Sequence, residues 1–330
     1  MDSDVTSGQG PLFSDPDPDL ARAFFRTKRV ALTEKVMSAR EAVATYVKDG
    51  DYLASGGFGT NRIATALLHE VLRQGRRNLS FAGHTTTHDF EILCAGHLRG
   101  PVLARVDAAY IVGLEARGLS PQARRVMQSG DVEVCEWSNY ALAVRLRAAA
   151  TGVPFLPTRS TQGTDTFRYS ASRTIECPFT GKQVAAVPAL YPDVAFIHVH
   201  TCDALGNARV EGIAVADADL ARASKRVILT TERIVSVDET RQSPQETLIP
   251  SLCVDAVCEV PYGSYPGNMS GCYFSDEAHL REWLEVERDT AALTTFVDRL
   301  IYETESFEEY LEASGAKDRL PELVNIEKGT

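Results

Sequence analysis

From Ser38 onward the apolar residues repeat in blocks, some three to four positions apart and some one or two apart, with glycine or polar clusters between them. A capping box opens the first block. Ser38 can accept from the Glu41 amide while Glu41 reaches back, and the helix so started runs through Tyr46 and Val47 to Gly50. Tyr52 to Ser55 then reads as a short strand ending at Gly56 and Gly57. From Asn61 the period changes. Ile63, Leu67 and Val71 recur four apart, as do Ala64, Leu68 and Leu72, giving one apolar helix face that stops before Gly75.

The alternation continues downstream. Leu79 to Ala82, Ala108 to Val112, Val132 to Cys135, Val184 to Val187, Val194 to His200, Arg226 to Thr231 and Val254 to Val260 read as strands, and Ser138 to Ala150 and Asp217 to Ser224 as helices. This predicts an α/β fold with a largely parallel open sheet covered by helices on both faces. Wholly apolar strand cores such as VAFI suit that burial. Residues 277 to 314 read as acidic amphipathic helices on the outside, the run from Glu303 to Glu312 being a solvated face. Residues 1 to 34, dense in Asp and Pro, read as a flexible arm, and residues 35 to 330 as a single domain.

Composition narrows the function classes. The 34 Lys and Arg against 45 Asp and Glu give a net charge of −11, with no basic block, which argues against nucleic acid as a partner. No apolar run is long enough to span a bilayer, and the acidic start lacks the features of a secretory signal, so a cytoplasmic protein without membrane contact is expected. The seven cysteines are scattered, with no CxxC pair, and are read as reduced thiols in or near the core.

The stretch GGFGTNR, Gly56 to Arg62, draws attention because three glycines fall at a strand-to-helix junction. It is not a dinucleotide fingerprint, since Arg62 stands where the third glycine of G-x-G-x-x-G would fall. A P-loop is excluded as well: the only Gly-Lys pair, Gly181-Lys182, is followed by Gln. No G-x-S-x-G elbow occurs. What remains is a turn that lets a ligand approach backbone amides at a helix start, suited to an anionic or carbonyl ligand, or a tight turn using glycine for geometry alone.

Among the other polar residues, His84, Thr85 and Thr86 follow a strand and are candidates to line a site at strand carboxyl ends, against the plainer reading of ordinary loop residues. His198, His200 and Cys202 alternate onto one strand face, and His84 and His88 lie four apart. Nothing ties these pairs into a zinc pattern, so polar strand-end residues are preferred and no metal is expected. Asp203, Gly206 and Asn207 read as turn residues, and Trp137 and Tyr140 as core.

KDGDYLASGGFGTNR resembles the CoA-binding signature of the α subunits of class I CoA-transferases. The likeness to the α subunits of the glutaconate type extends through NLSFAG, AAATGVPFLP, TQG, VPALYPDVAFIHVH, DALGNARVEG and CVDAVCEVPYGSYPG, from about residue 36 to the C-terminal helices. It implies a ping-pong transfer in which a glutamate attacks the acyl-CoA thioester and passes through an anhydride to a glutamyl-CoA. Coenzyme A thioester is then a substrate and not a permanently bound cofactor. In this family the glutamate belongs to the β subunit. No Glu-Asn or Glu-Ser-Gly sequence occurs here, so the chain is expected to be completed by a β partner and to act on an acyl-CoA and a carboxylate.

On this resemblance Gly56, Gly57, Phe58, Gly59, Thr60, Asn61 and Arg62 bind CoA or substrate, the acyl group or CoA lying against the amides of Phe58 to Asn61. Arg62 is a candidate to hold the second carboxylate of a diacid, against a helix-surface salt bridge. Arg62 and Ala64 depart from the Gly and Pro of the wider signature, and Leu114 and Glu115 occupy a region where the glutaconate enzymes are expected to offer a serine. A branch of the family hydrolyses carbon–carbon bonds in CoA thioesters with a glutamate early in the helix that begins here near Asn139. Asn139 cannot act as a base and favours transfer, whereas Glu115 keeps hydrolysis as an alternative, with a non-catalytic acyl-CoA-binding protein as a third.

Overall fold

The computed structural model describes residues 7–28, 31–111 and 118–329. Its strands are β1 (Tyr52–Ser55), β2 (Leu79–Gly83), β3 (Leu103–Ala109), β4 (Glu133–Trp137), β5 (Phe155–Thr158), β6 (Arg173–Glu176), β7 (Gln183–Pro188), β8 (Val194–Asp203), β9 (Ala208–Arg209), β10 (Arg226–Val235) and β11 (Ala256–Glu259). The main sheet runs β11-β10-β8-β1-β2-β3-β4 with every neighbour parallel, and β9 pairs antiparallel with β8. The α/β fold expected from the alternation is therefore observed.

Period-two side chains divide this sheet into two faces. Leu53, Phe81, Val106, Phe196 and Ile228 enter one buried cluster; their neighbours Tyr52, Ala54, Ala82, Ile197 and Leu229 enter the other. Over the first face lie α2 (Ala39–Tyr46), α3 (Thr65–Arg73), α4 (His88–Gly96) and α5 (Pro121–Gln128). Over the second lies α6 (Asn139–Thr151), which Ser138 caps and Gly152 closes in the left-handed conformation. The capping box of Ser38 and Glu41 is formed at the start of α2.

The flexible arm is a correction. Residues 18 to 25 form a helix, α1 (Pro18–Phe25), with Asp17 as its cap, Pro18 in its first turn and Ala21 buried. Asp and Pro opposed a helix only by density; by position they start one. Gly8 and Gly10 donate to the carbonyls of Ser172 and Ser170, so this segment is tied down before the helix begins. The strand expected at Val184 to Val187 is present as β7, but it lies in a separate antiparallel sheet, β5-β7-β6, joined by α7 (Asp165–Tyr169), and not in the parallel one; β5, β6 and this pairing are absent from the sequence expectation.

Then follow α8 (Asp217–Ala223), α9 (Val237–Gln242), α10 (Glu277–Val286), α11 (Thr290–Val297), α12 (Phe307–Ala313) and α13 (Ala316–Lys328). The last four cover the first face, and their Trp283, Leu293 and Tyr310 are fully buried in its cluster. Strand β3 lies earlier than expected. Arg105 and Asp107 interrupt its apolar run and hid its first half.

Candidate active site

The strands β1 to β4 are parallel, so the segments that leave their carboxyl ends emerge on one edge of the sheet. From β1 comes the turn of Gly56 to Arg62. It is closed on itself by reciprocal Phe58–Asn61 backbone bonds of 2.9 Å each, and stitched to the segment at Asn268 by Arg62 N–H to Asn268 O and Asn268 N–H to Thr60 O, also 2.9 Å. Gly59 N–H donates to Thr85 O at 2.9 Å. The amides of Phe58, Gly59 and Asn61 are therefore committed. Thr60 N–H has no acceptor among the described residues.

The glycines divide between two causes. At Gly57, φ is +78° and a Cβ would stand 2.6 Å from the carbonyl oxygens of Asn61 and Arg62; no other residue fits. Gly59, with φ +63°, would meet nothing within 4 Å, so its surroundings are open. Beside it Phe58 is 37% exposed. Geometry accounts for Gly57, and free space lies over Gly59.

Arg62 overturns its expectation as a carboxylate receptor. Its guanidinium is already bidentate on Asp217, Nη1 to Oδ1 and Nη2 to Oδ2 at 2.9 Å each, with both side chains 0% exposed. Nη2 also donates to Ile213 O at 2.9 Å. Nor is this a helix-surface bridge, because Arg62 lies in the turn at φ +64°. Asp217 takes the Gly57 N–H at 2.9 Å as well. Burial pushes the Asp217 carboxyl up, yet the Arg62 guanidinium and the Gly57 amide outweigh it, and the group titrates below its ordinary range. The pair therefore holds the turn and presents no free fork.

From β2 comes the segment His84 to Thr87, and from β4 comes Asn139 at the start of α6. Asn139 Nδ2 donates to Thr85 Oγ1 at 3.0 Å, and the same hydroxyl lies 3.0 Å from His84 Nδ1. The His84 and Phe58 rings are 6.4 Å apart. Thr87 Oγ1 donates to Gly59 O at 2.8 Å, and Thr86 is buried. Gly59, Phe58, His84, Thr85 and Asn139, distant in sequence, thus form one continuous patch. Burial holds the His84 ring below its ordinary pKa.

The profile of the Coenzyme A transferase family fits residues 36–260, which include the turn, the His84 segment, Asn139 and Asp217. The chain belongs to that family. Within this transferase family it is similar to the A subunit of glutaconate CoA-transferase from Acidaminococcus fermentans, 32% identical over 88% of this chain and 94% of that protein. It is also similar to the A subunit of 3-oxoadipate CoA-transferase from Pseudomonas knackmussii, at 34% identity over 84% and 96%. The crystal structure of the Acidaminococcus glutaconate enzyme superposes with a TM-score of 0.82 at 31% identity, covering 88% of this chain and 95% of that one. Both relatives are A subunits of CoA-transferases, and this chain is an A-subunit-type member of the family.

The remaining candidates separate cleanly. Glu115, like Leu114, lies outside the described residues. His198 is consumed on both nitrogens, by Thr230 Oγ1 and Glu232 at 2.8 Å each, and His200 by Ser270 O and the Glu211 amide. Among the described residues no three His, Cys, Asp or Glu side chains gather as a metal site. All seven cysteines are free, five of them buried. Trp137 is buried as expected, but Tyr140 is 60% exposed. Sequence reasoning missed Asp217 and Asn268, the two supports of the turn. It also missed Asp89, which accepts the Thr87 and Phe90 amides at 2.8 and 3.0 Å and whose pKa burial raises to about 6.

Proposed function

We propose that this chain is the α component of a two-component CoA-transferase, and that it seats an acyl-CoA thioester over Gly59 while a β-type partner supplies the nucleophilic glutamate. One observation carries this reading: space is free at the Cβ position of Gly59, yet among the described residues the carboxylates next to the turn are engaged, Asp217 on Arg62 and Asp89 on two amides. Neither is free to attack. A carboxylate from another chain, entering opposite the patch, completes the site.

The chemistry then follows in four displacements. The partner's glutamate oxygen attacks the thioester carbon and expels CoA thiolate, leaving a mixed anhydride. The thiolate attacks the glutamyl carbonyl and releases the first carboxylate, giving a glutamyl-CoA thioester. The acceptor carboxylate repeats the two steps in reverse. The Thr60 amide, uncommitted among the described residues, is a donor for the oxyanion that forms in each. With Arg62 engaged by Asp217, we give the turn no part in holding a distal carboxylate of a diacid.

Exposed apolar residues surround this edge. Phe58, Tyr110, Tyr140, Ile213 and Val215 are each at least 37% exposed and all follow carboxyl ends of strands or lead into α8. They suit the seat of a partner chain. The seven free thiols suit a reducing compartment, in keeping with a cytoplasmic location. Among the described residues no helix is long and apolar enough to cross a membrane. The test is to incubate the chain and a β-type partner with acyl-CoA, reduce with borohydride, and digest. A modified glutamate on the partner is expected; modification of this chain alone would refute the assignment.

A further inference from the structure

We infer that His84 donates a hydrogen bond from Nε2–H to the carbonyl oxygen of the bound acyl-CoA thioester, in a tautomer imposed by Thr85 and Asn139. The inference rests on the transferase reading above. Thr85 Oγ1 accepts from Asn139 Nδ2 at 3.0 Å, and a hydroxyl has a single hydrogen to give. The remaining neighbour within reach is His84 Nδ1, also at 3.0 Å; were Thr85 to accept there as well, its own hydrogen would have no acceptor in the cluster, so we assign Thr85 as the donor and Nδ1 as the acceptor. The ring proton of the neutral histidine is then on Nε2. Burial lowers the ring's pKa, which keeps it neutral at pH 7.

Three further observations aim this donor at a ligand. Thr85 is 6% exposed and its carbonyl accepts the Gly59 N–H at 2.9 Å, so the relay is fastened to the glycine turn itself. Among the described residues His84 makes no hydrogen bond except through Nδ1, which leaves Nε2 unused. Its ring lies 6.4 Å from that of the half-exposed Phe58, the chain neighbour of Gly59, over which the transferase reading seats the thioester. A neutral N–H stabilises a developing oxyanion without having to be charged in the resting state.

The experiment uses the complex of this chain with its β-type partner. Ring ¹⁵N–¹H correlation spectra at neutral pH report the tautomer directly, His84 being identified by the signals that vanish in His84→Gln. The Nε2–H pattern is expected, and Thr85→Val is expected to give a mixture of tautomers. In turnover, His84→Phe lowers kcat about 100-fold with KM changed less, and His84→Gln, which restores an N–H at similar reach, recovers about 10-fold of that loss. An Nδ1–H tautomer, as would arise if Asn139 Oδ1 took the Thr85 proton, overturns the inference. So does a His84→Phe complex within about twofold of wild type, well short of the loss expected for an oxyanion donor. A wild-type complex that moves no CoA overturns the transferase reading and the inference with it, and that failure is recognised in the wild-type control alone.

Discussion

Two buried arginine–aspartate pairs of nearly identical burial sit in different parts of this molecule. Arg62 and Asp217, both 0% exposed, lie at the sheet edge and hold a loop; Arg145 and Asp107, 0% and 1% exposed, lie inside the second face and hold a core. Asp107 pairs with Arg145 at 2.7 Å and accepts from Trp137 Nε1 at 2.6 Å and from the Tyr52 hydroxyl, tying β1, β3, β4 and α6 together. The Arg145 guanidinium lies 4.2 Å over the Trp137 ring. Asp217 accepts instead from Gly57 N–H, which belongs to no regular element. The same chemistry therefore serves packing in one place and the shape of a binding turn in the other.

Removing one partner separates neither pair by stability. Asp217→Leu and Asp107→Leu each leave an uncompensated buried guanidinium and are expected to cost about 3–5 kcal/mol in urea unfolding. The double replacements distinguish them. Arg62→Met with Asp217→Leu removes both charges and leaves one buried donor, the Gly57 amide, without an acceptor, so it should recover more of that loss than the core pair does while CoA transfer stays abolished. Arg145→Met with Asp107→Leu should stay destabilised, since the Tyr52 hydroxyl and Trp137 N–H remain buried without an acceptor. Equal recovery at the two places would mean that the pairs serve the same end after all.

A smaller effect bears on the loop alone. Gly57→Ala meets both the left-handed backbone penalty, about 1–2 kcal/mol, and two carbonyl oxygens at 2.6 Å, and should abolish transfer. Gly59→Ala pays only the backbone penalty and adds a methyl to open space; stability should fall by about 1 kcal/mol, with KM for acyl-CoA raised more than kcat is lowered. Parallel thermal melts and steady-state kinetics of the two variants check this.

The smallest effect is in acid. The folded pKa of Asp217 is depressed below 3.8, so its contribution is fully present above that value and is lost as pH falls through the lower, folded one. The stability difference between wild type and Asp217→Asn should be flat from pH 7 to 5 and shrink below about pH 4. A difference that shrinks near pH 6 would contradict the assignment.

Much of this was legible in the chain. Ser38 with Glu41, the period change at Asn61 and the apolar runs of β8 and β10 are local signals, and local physics decides them. The turn could be located for the same reason, since glycine at Gly57 answers a positive φ. Asp217 was invisible as its partner because 155 residues separate it from Arg62, and only the parallel crossover brings them together. Arg62 accordingly reads as a free fork in sequence and is an occupied one in space. The arm failed differently: Asp17 and Pro18 were weighed as composition, when their order made them a helix start. The antiparallel β5-β7-β6 sheet escaped because its pairing, unlike its residues, carries no period.

The most direct measurement is CoA transfer from an acyl-CoA to acetate or succinate, followed by mass spectrometry, with this chain by itself, a β-type partner by itself, and the two together. An acceptor-dependent acyl-CoA product is predicted from the pair and none from either chain singly. Consumption of the thioester with gain of water and no acceptor, or turnover by this chain without a partner, would contradict the two-component transferase.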